Sequence, residues 1–167
     1  MIGLSQERLK EAFDYDPITG HFIWKIGHLK GRRAGCIDNS KGYVIITLSG
    51  YHYYGHVLAW FYIHGEWKRI DHKDTHGSNN AILNLRPATT KQNNRNQSIR
   101  IDNMLGVKGV TRSGNKFVAR IFVDGSRIYL GTFKTIEEAT NARQAAAQEY
   151  FGEFVHEDER ATEEEAK

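Results

Sequence analysis

Asp71 and His72 stand side by side in a segment crowded with side-chain amides: Asn79, Asn80, Asn84, Asn93, Asn94 and Asn96. A carboxylate, an imidazole and amide oxygens are groups that cutting a phosphodiester can use. Water must lose a proton to become a nucleophile, and an imidazole titrating near neutrality can take it. A divalent cation can hold the scissile phosphate and the leaving oxygen. Magnesium and manganese prefer oxygen ligands such as carboxylates and amide carbonyls. On a strand, neighbouring side chains point to opposite faces, so one of the pair could bind metal while the other faces water. The same pair also fits a surface turn with a solvated imidazole. Turns explain some of the asparagines, which tolerate left-handed backbone and bond their own chain. They explain Asn93 less well, because it falls inside a predicted helix, where asparagine has poor propensity.

The elements that would position these groups are short. A first helix is predicted over residues 5–13, followed by a turn at 15–20 punctuated by Pro17 and Gly20. Strands are predicted at 21–25, 43–48 and 51–54, and an apolar helix at 57–63 closed by Gly65. Residues 69–72 read as a strand end and 73–80 as a loop. Residues 85–88 return as a strand, with Pro87 restricting it to an edge or end. A helix over 89–97 would carry Asn93, capped by Thr89 or Thr90. Residues 98–104 are polar and aperiodic, a linker.

Beyond the linker the pattern changes. Lys116, Val118, Arg120 and Phe122 alternate with Phe117, Ala119, Ile121 and Val123. Asp124-Gly125 signals a hairpin, and Thr135 and Glu138 form a capping box. The helix that follows carries Ala139, Ala142, Ala146 and Tyr150 on one stripe and ends at Gly152. Three strands and one helix bury one sheet face and leave the other, with Lys116, Arg120, Arg127 and Tyr129, open. The fold class is α+β.

The chain has 167 residues, one domain's worth or two small ones. One cysteine excludes an internal disulfide and a cysteine-based zinc site, so no structural zinc is expected. The cytoplasm is the simplest compartment, and neither a secretory signal nor a membrane-crossing apolar stretch is visible. There are 23 basic and 20 acidic residues, but six of the acids and only two of the bases lie in 156–167. That stretch reads as an acidic, disordered tail on a basic body, and a basic body suits a polyanionic partner.

The stretch I-D-H-K-D, N-N-x-x-x-N-L-R-x-A-T, Q-N-N-R-N resembles the HNH nuclease motif, in the variant whose last histidine is replaced by asparagine. Upstream, D-P-x-T-G-x-F-x-W-K, G-Y and H-V-L-A-W-F-Y resemble the N-terminal part of phage and intron-encoded HNH homing endonucleases. The resemblance implies a ββα-metal unit within residues 1–97, with its core at about 67–97. It implies that His72 is the general base and that Asp71 binds the metal. It implies that Asn84 orients the His72 ring by accepting its second N–H, and that Asn93, or Asn94 after a one-residue shift, is the second ligand. The implied cofactor is one divalent cation, Mg2+ or Mn2+. His56 is a candidate for a phosphate contact, with packing or capping as the alternatives; Asn80 would shape the loop, and His76 would be solvated.

The C-terminal segment G-V-K-G-V-T-R, N-K-F-V-A-R-I, R-I-Y-L-G-T-F-K-T-I-E-E-A resembles the AP2 DNA-binding domain over residues 105–155. That family presents its three-stranded sheet to the major groove. The implied contacts are Lys108, Arg112, Lys116, Arg120, Arg127 and Tyr129; arginine can read guanine and lysine holds phosphate. Together the resemblances imply a phage-type homing endonuclease acting on double-stranded DNA inside a host cell. The alternatives are a loosely specific phage DNA-processing nuclease and a DNA-binding regulator with an inactive HNH module. Oligomeric state and target sequence stay open.

Overall fold

The computed structural model describes residues 3–90, 92, 99, 103–156 and 159. The predicted helix at 89–97, with Asn93 and Asn94, falls largely outside the described residues, as does most of the 98–104 linker. The chain divides into two compact units, Met1–Lys91 and Gln92–Lys167. The fold is mixed α+β, with small antiparallel sheets and three α-helices among the described residues. Among those residues no helix is long and apolar enough to cross a membrane.

The first unit opens with α1 (Gln6–Ala12), which Ser5 caps by accepting from the Arg8 N–H at 3.2 Å. The chain passes directly from α1 into β1 (Phe13–Tyr15), which pairs antiparallel with β2 (Phe22–Trp24). The sequence predicts only the second of these strands. Asp16 shapes the turn between them, accepting from the Ile18 N–H at 2.9 Å and the Thr19 hydroxyl at 2.7 Å.

A second sheet joins β3 (Cys36–Ile37), β4 (Val44–Leu48) and β5 (Tyr51–Tyr54). Ser49 and Gly50 both have positive φ, as a two-residue hairpin turn matching the strand twist requires. The helix α2 (Gly55–His64) follows and ends at Gly65 in the left-handed region. Leu9 of α1, Phe13 of β1, Phe22 of β2, Ile46 of β4 and Leu58 of α2 form one buried core with Leu85. Each such large apolar side chain contributes about 1.5–3 kcal/mol by leaving water.

The edge of this core positions the chemistry. Strand β6 (Ile70–His72) pairs with β7 (Leu85–Pro87), setting Asp71 opposite Arg86 and His72 opposite Leu85. Pro87 closes the second strand, as its missing N–H demands.

The second unit has the sheet order β10-β9-β8, with β8 (Val110–Ser113), β9 (Lys116–Val123) and β10 (Ser126–Phe133). Asp124 and Gly125 make the tight turn, both at positive φ. A bulge interrupts the β9–β10 register between Tyr129 and Gly131. Ala119 and Ile121 pack on α3 (Ile136–Phe151), whose capping box joins Thr135 and Glu138. The buried residues of α3 are Ala139, Arg143, Ala146, Ala147 and Phe151; Tyr150 is exposed. The stripe is therefore rotated from the predicted one, with an arginine on it.

That arginine has a partner in the predicted disordered tail. Glu159 and His156 are both 4 % exposed, and Glu159 Oε1 lies 2.8 Å from Arg143 Nη2 and Oε2 3.4 Å from Lys108 Nζ. These are the two described positions of the tail expected to be disordered; residues 157, 158 and 160–167 lie outside the described ones.

Candidate active site

His72 is 4 % exposed and ends β6, with the apolar core behind its cross-strand partner Leu85. Its Nε2 lies 3.1 Å from Asn80 Oδ1. An amide oxygen only accepts, so this bond puts the ring proton on Nε2 and makes Nδ1 the basic nitrogen. Two further rings close on it. Tyr43 stacks on His72 with centroids 5.8 Å apart, and His56 meets it edge-on at 4.7 Å. Burial pushes His72 below the ordinary imidazole value, against the pull of its bond to Asn80 and the charges of Asp74 and Asp71. A base kept neutral in this way is ready to accept a proton.

Asp71, the neighbouring residue, points to the other side of the strand. It is 5 % exposed, and its Oδ2 accepts from Arg86 Nε at 3.1 Å and Nη2 at 2.9 Å. Two guanidinium N–H groups converging on one oxygen anchor that oxygen by charge-assisted bonds.

The loop after β6 is organised around Asp74 rather than around His72. Asn84 Oδ1 accepts from the Asp74 N–H at 3.1 Å, and Asn84 Nδ2 donates to Asp74 Oδ1 at 2.9 Å and to the Asn79 carbonyl at 2.8 Å. Asn79 Nδ2 donates to Asp74 Oδ2 at 2.7 Å. Burial pulls Asp74 upward, but these bonds and the His76 N–H outweigh it and hold its carboxyl below the usual range. Asn84, expected at the second N–H of the His72 ring, makes these bonds within the loop. Asn84 is committed to pinning the loop, and Asn80, expected only to shape that loop, faces the ring. His76 is exposed, as expected.

His56 is buried at the start of α2, between Tyr54, Tyr43 and His72. Its Nδ1 is buried without a hydrogen bond. Burial, and then the His72 charge, push it down to about 3, so it lines the site as a neutral ring. Tyr43 escapes the sequence argument; its ring abuts Gly77, where a Cβ would lie 2.7 Å from it. Arg86 also escapes it, though its place opposite Asp71 follows once the hairpin register is known.

In the second unit, the pleat puts Lys116, Arg120, Phe122, Arg127 and Tyr129 on one face. Arg120 pairs with Tyr129, and Phe122 with Arg127. Phe122 and Tyr129 are 62 % and 61 % exposed. Two of the expected contacts fall elsewhere. Arg112 pairs with Phe117, on the side that faces α3, and its Nε donates to the Gly114 carbonyl at 3.1 Å. Lys108 turns its ammonium inward to Glu159.

Residues 53–95 match the family model described as HNH endonuclease. The matched segment contains α2, β6, the Asp74 loop and β7, and the likeness points to a nuclease. HNH nucleases in general act on nucleic acid and use a divalent metal. No curated protein and no solved structure matches the chain.

Proposed function

We propose that the chain is a metal-dependent endonuclease acting on double-stranded DNA. The observation that carries this reading is the buried His72, its Nε2 3.1 Å from Asn80 Oδ1, beside Asp71 in the segment matched to HNH endonucleases. In the proposed mechanism His72 Nδ1 takes the proton of the attacking water. Asp71 and Asn93 would hold one divalent cation. A carboxylate and an amide oxygen form a hard donor set that suits Mg2+ or Mn2+, and the Arg86 guanidinium anchors one oxygen of the Asp71 carboxylate. Such an ion, when bound, supplies charge stabilisation at the phosphate and the leaving oxygen. Asn84 holds the loop between the strands, and His56 and Tyr43 keep bulk water from the His72 ring.

The β6–β7 hairpin and the Asn93 segment would form a ββα-metal unit, and the second unit an AP2-like reader. The open face with Lys116, Arg120, Arg127 and Tyr129 supports the reader: arginine offers guanine a forked donor pair, and exposed rings offer apolar contact. The N-terminal resemblance to phage and intron-encoded enzymes supports a homing role in a host cell. One centre cuts one strand per engagement, so a double-strand break would need two engagements or two copies.

The test is cleavage of plasmid DNA by the full chain with Mg2+ or Mn2+ and with chelator, for wild type and His72→Ala. The expected result is metal-dependent cutting that His72→Ala abolishes while DNA binding stays within about twofold. Cleavage in chelator, or equal loss of binding and cutting in His72→Ala, would overturn the reading.

A further inference from the structure

The geometry points to Asn80 as the residue that positions His72, and to Tyr15 and Gly20, outside the HNH-matched segment, as the parts that hold Asn80 in place. The inference rests on the nuclease reading for the role of His72.

Asn80 is 2 % exposed and among the largest fully buried side chains of the chain. Burying an amide costs free energy unless its polar atoms are bonded. Its Oδ1 faces His72 Nε2 at 3.1 Å. An apolar residue of the same size would fill this space without that cost, so packing alone does not explain an amide here.

The backbone of Asn80 is clamped from the N-terminal hairpin. Tyr15 Oη donates to the Asn80 carbonyl at 2.7 Å. Gly20 approaches so closely that a Cβ there would lie 2.2 Å from the Asn80 carbonyl carbon and 2.3 Å from the Ala81 nitrogen. Its φ of +72° is one that glycine adopts freely. The Ile82 N–H then donates to the Pro17 carbonyl at 3.0 Å. On the other side Gly55, the first residue of α2, leaves room for the amide: a Cβ there would lie 2.5 Å from Asn80 Nδ2.

Residues 73–84 form a long excursion between β6 and β7, and Asn84 and Asp74 tie its two ends together. The β1–β2 turn holds a different point, the residue that meets the catalytic ring. The D-P-x-T-G turn thus acts on the His72 tautomer through one intermediary. The effect on rate follows from geometry, since small misplacements of a catalytic group cost up to about 100-fold.

The experiment compares wild type, Tyr15→Phe, Asn80→Leu, Asn80→Asp and His72→Ala as full chains. It measures single-turnover cleavage of plasmid DNA, DNA affinity, melting temperature, and the His72 tautomer by long-range 1H–15N NMR. Wild type should carry its proton on Nε2. Asn80→Leu should lose about 10–100-fold in rate at unchanged DNA affinity, with a mixed tautomer. Asn80→Asp keeps an acceptor and should recover at least about tenfold of that loss. Tyr15→Phe removes a single oxygen and should cut about 3–10-fold more slowly, without loss of DNA affinity. An Nδ1–H tautomer in wild type, a wild-type rate in Asn80→Leu, or equal losses in Asn80→Leu and Asn80→Asp would overturn the Asn80 assignment. A wild-type rate in Tyr15→Phe would overturn the clamp. Undiminished cutting by His72→Ala would instead overturn the nuclease reading of His72, and the tautomer measurement would still decide what Asn80 does.

Discussion

Glu159→Ala should unlock the second unit without touching the first. The Glu159 carboxylate is 4 % exposed and faces two cations whose side chains are only 8 % and 18 % exposed, Arg143 and Lys108. Removing one partner of a buried ion pair costs about 3–5 kcal/mol, because the charge left behind has lost its water. The 2.8 Å approach of Arg143 Nη2 to Oε1 is not aligned as a hydrogen bond, which favours the lower end, about 3 kcal/mol. A unit of this size has only about 4–11 kcal/mol of stability in all. Hydrogen exchange followed by mass spectrometry on the full chain separates the two units. Peptides from β9 and β10 should lose about 100-fold in protection, while peptides from β4 and β5 keep theirs. The double change Arg143→Met with Glu159→Leu should restore most of the protection, since well-packed apolar replacements of buried ion pairs are often neutral or better. Unchanged protection in Glu159→Ala would refute the reasoning. Equal loss in the single and double variants would show that packing, not charge, is at stake.

Arg86→Ala takes two N–H donors from the buried Asp71 carboxylate and should lower stability of the first unit by about 3 kcal/mol; an unchanged melting temperature would count against the pair. His56 sits at about 3 in the folded chain, against about 6.5 when unfolded. Below that ordinary value the unfolded chain binds more protons, so stability of the first unit should fall as pH drops from about 6.5 towards 3. His56→Leu should flatten this dependence, read from urea midpoints by tryptophan fluorescence; an unaltered slope would contradict a neutral buried ring. Replacing Arg120 and Arg127 together by alanine should reduce the slope of log affinity against log salt by about 2. An unaltered slope would remove the open face from the DNA interface.

How much of this was legible depends on how local the signal is. The turn at Asp124-Gly125, the Thr135–Glu138 capping box, the stop at Gly65 and the β6–β7 pair are written in neighbouring residues, and the structure has each of them. Strand β1 was not legible, because it follows α1 with no intervening breaker. The choice between Asn80 and Asn84 was not legible either. Both lie in one loop, four residues apart, and what separates them is Gly20 and Gly55 arriving from distant parts of the chain. Lys108 reads as a DNA contact, and nothing singles out Arg143, because the partner of both lies in an acidic run that reads as a disordered tail. Ion pairs that bury both members leave no mark in local periodicity.

The bulge between Tyr129 and Gly131 carries a consequence for anyone who would retarget the open sheet. It shifts the odd–even phase of β10, so that Tyr129 and Thr132 share a face and their hydroxyl oxygens lie 2.7 Å apart. Before the bulge, odd positions look outward; after it, even ones do. A library that randomises every second residue along the whole strand would therefore vary the surface at one end and the interior at the other. The strand has two grammars, and Gly131 is where one gives way to the other.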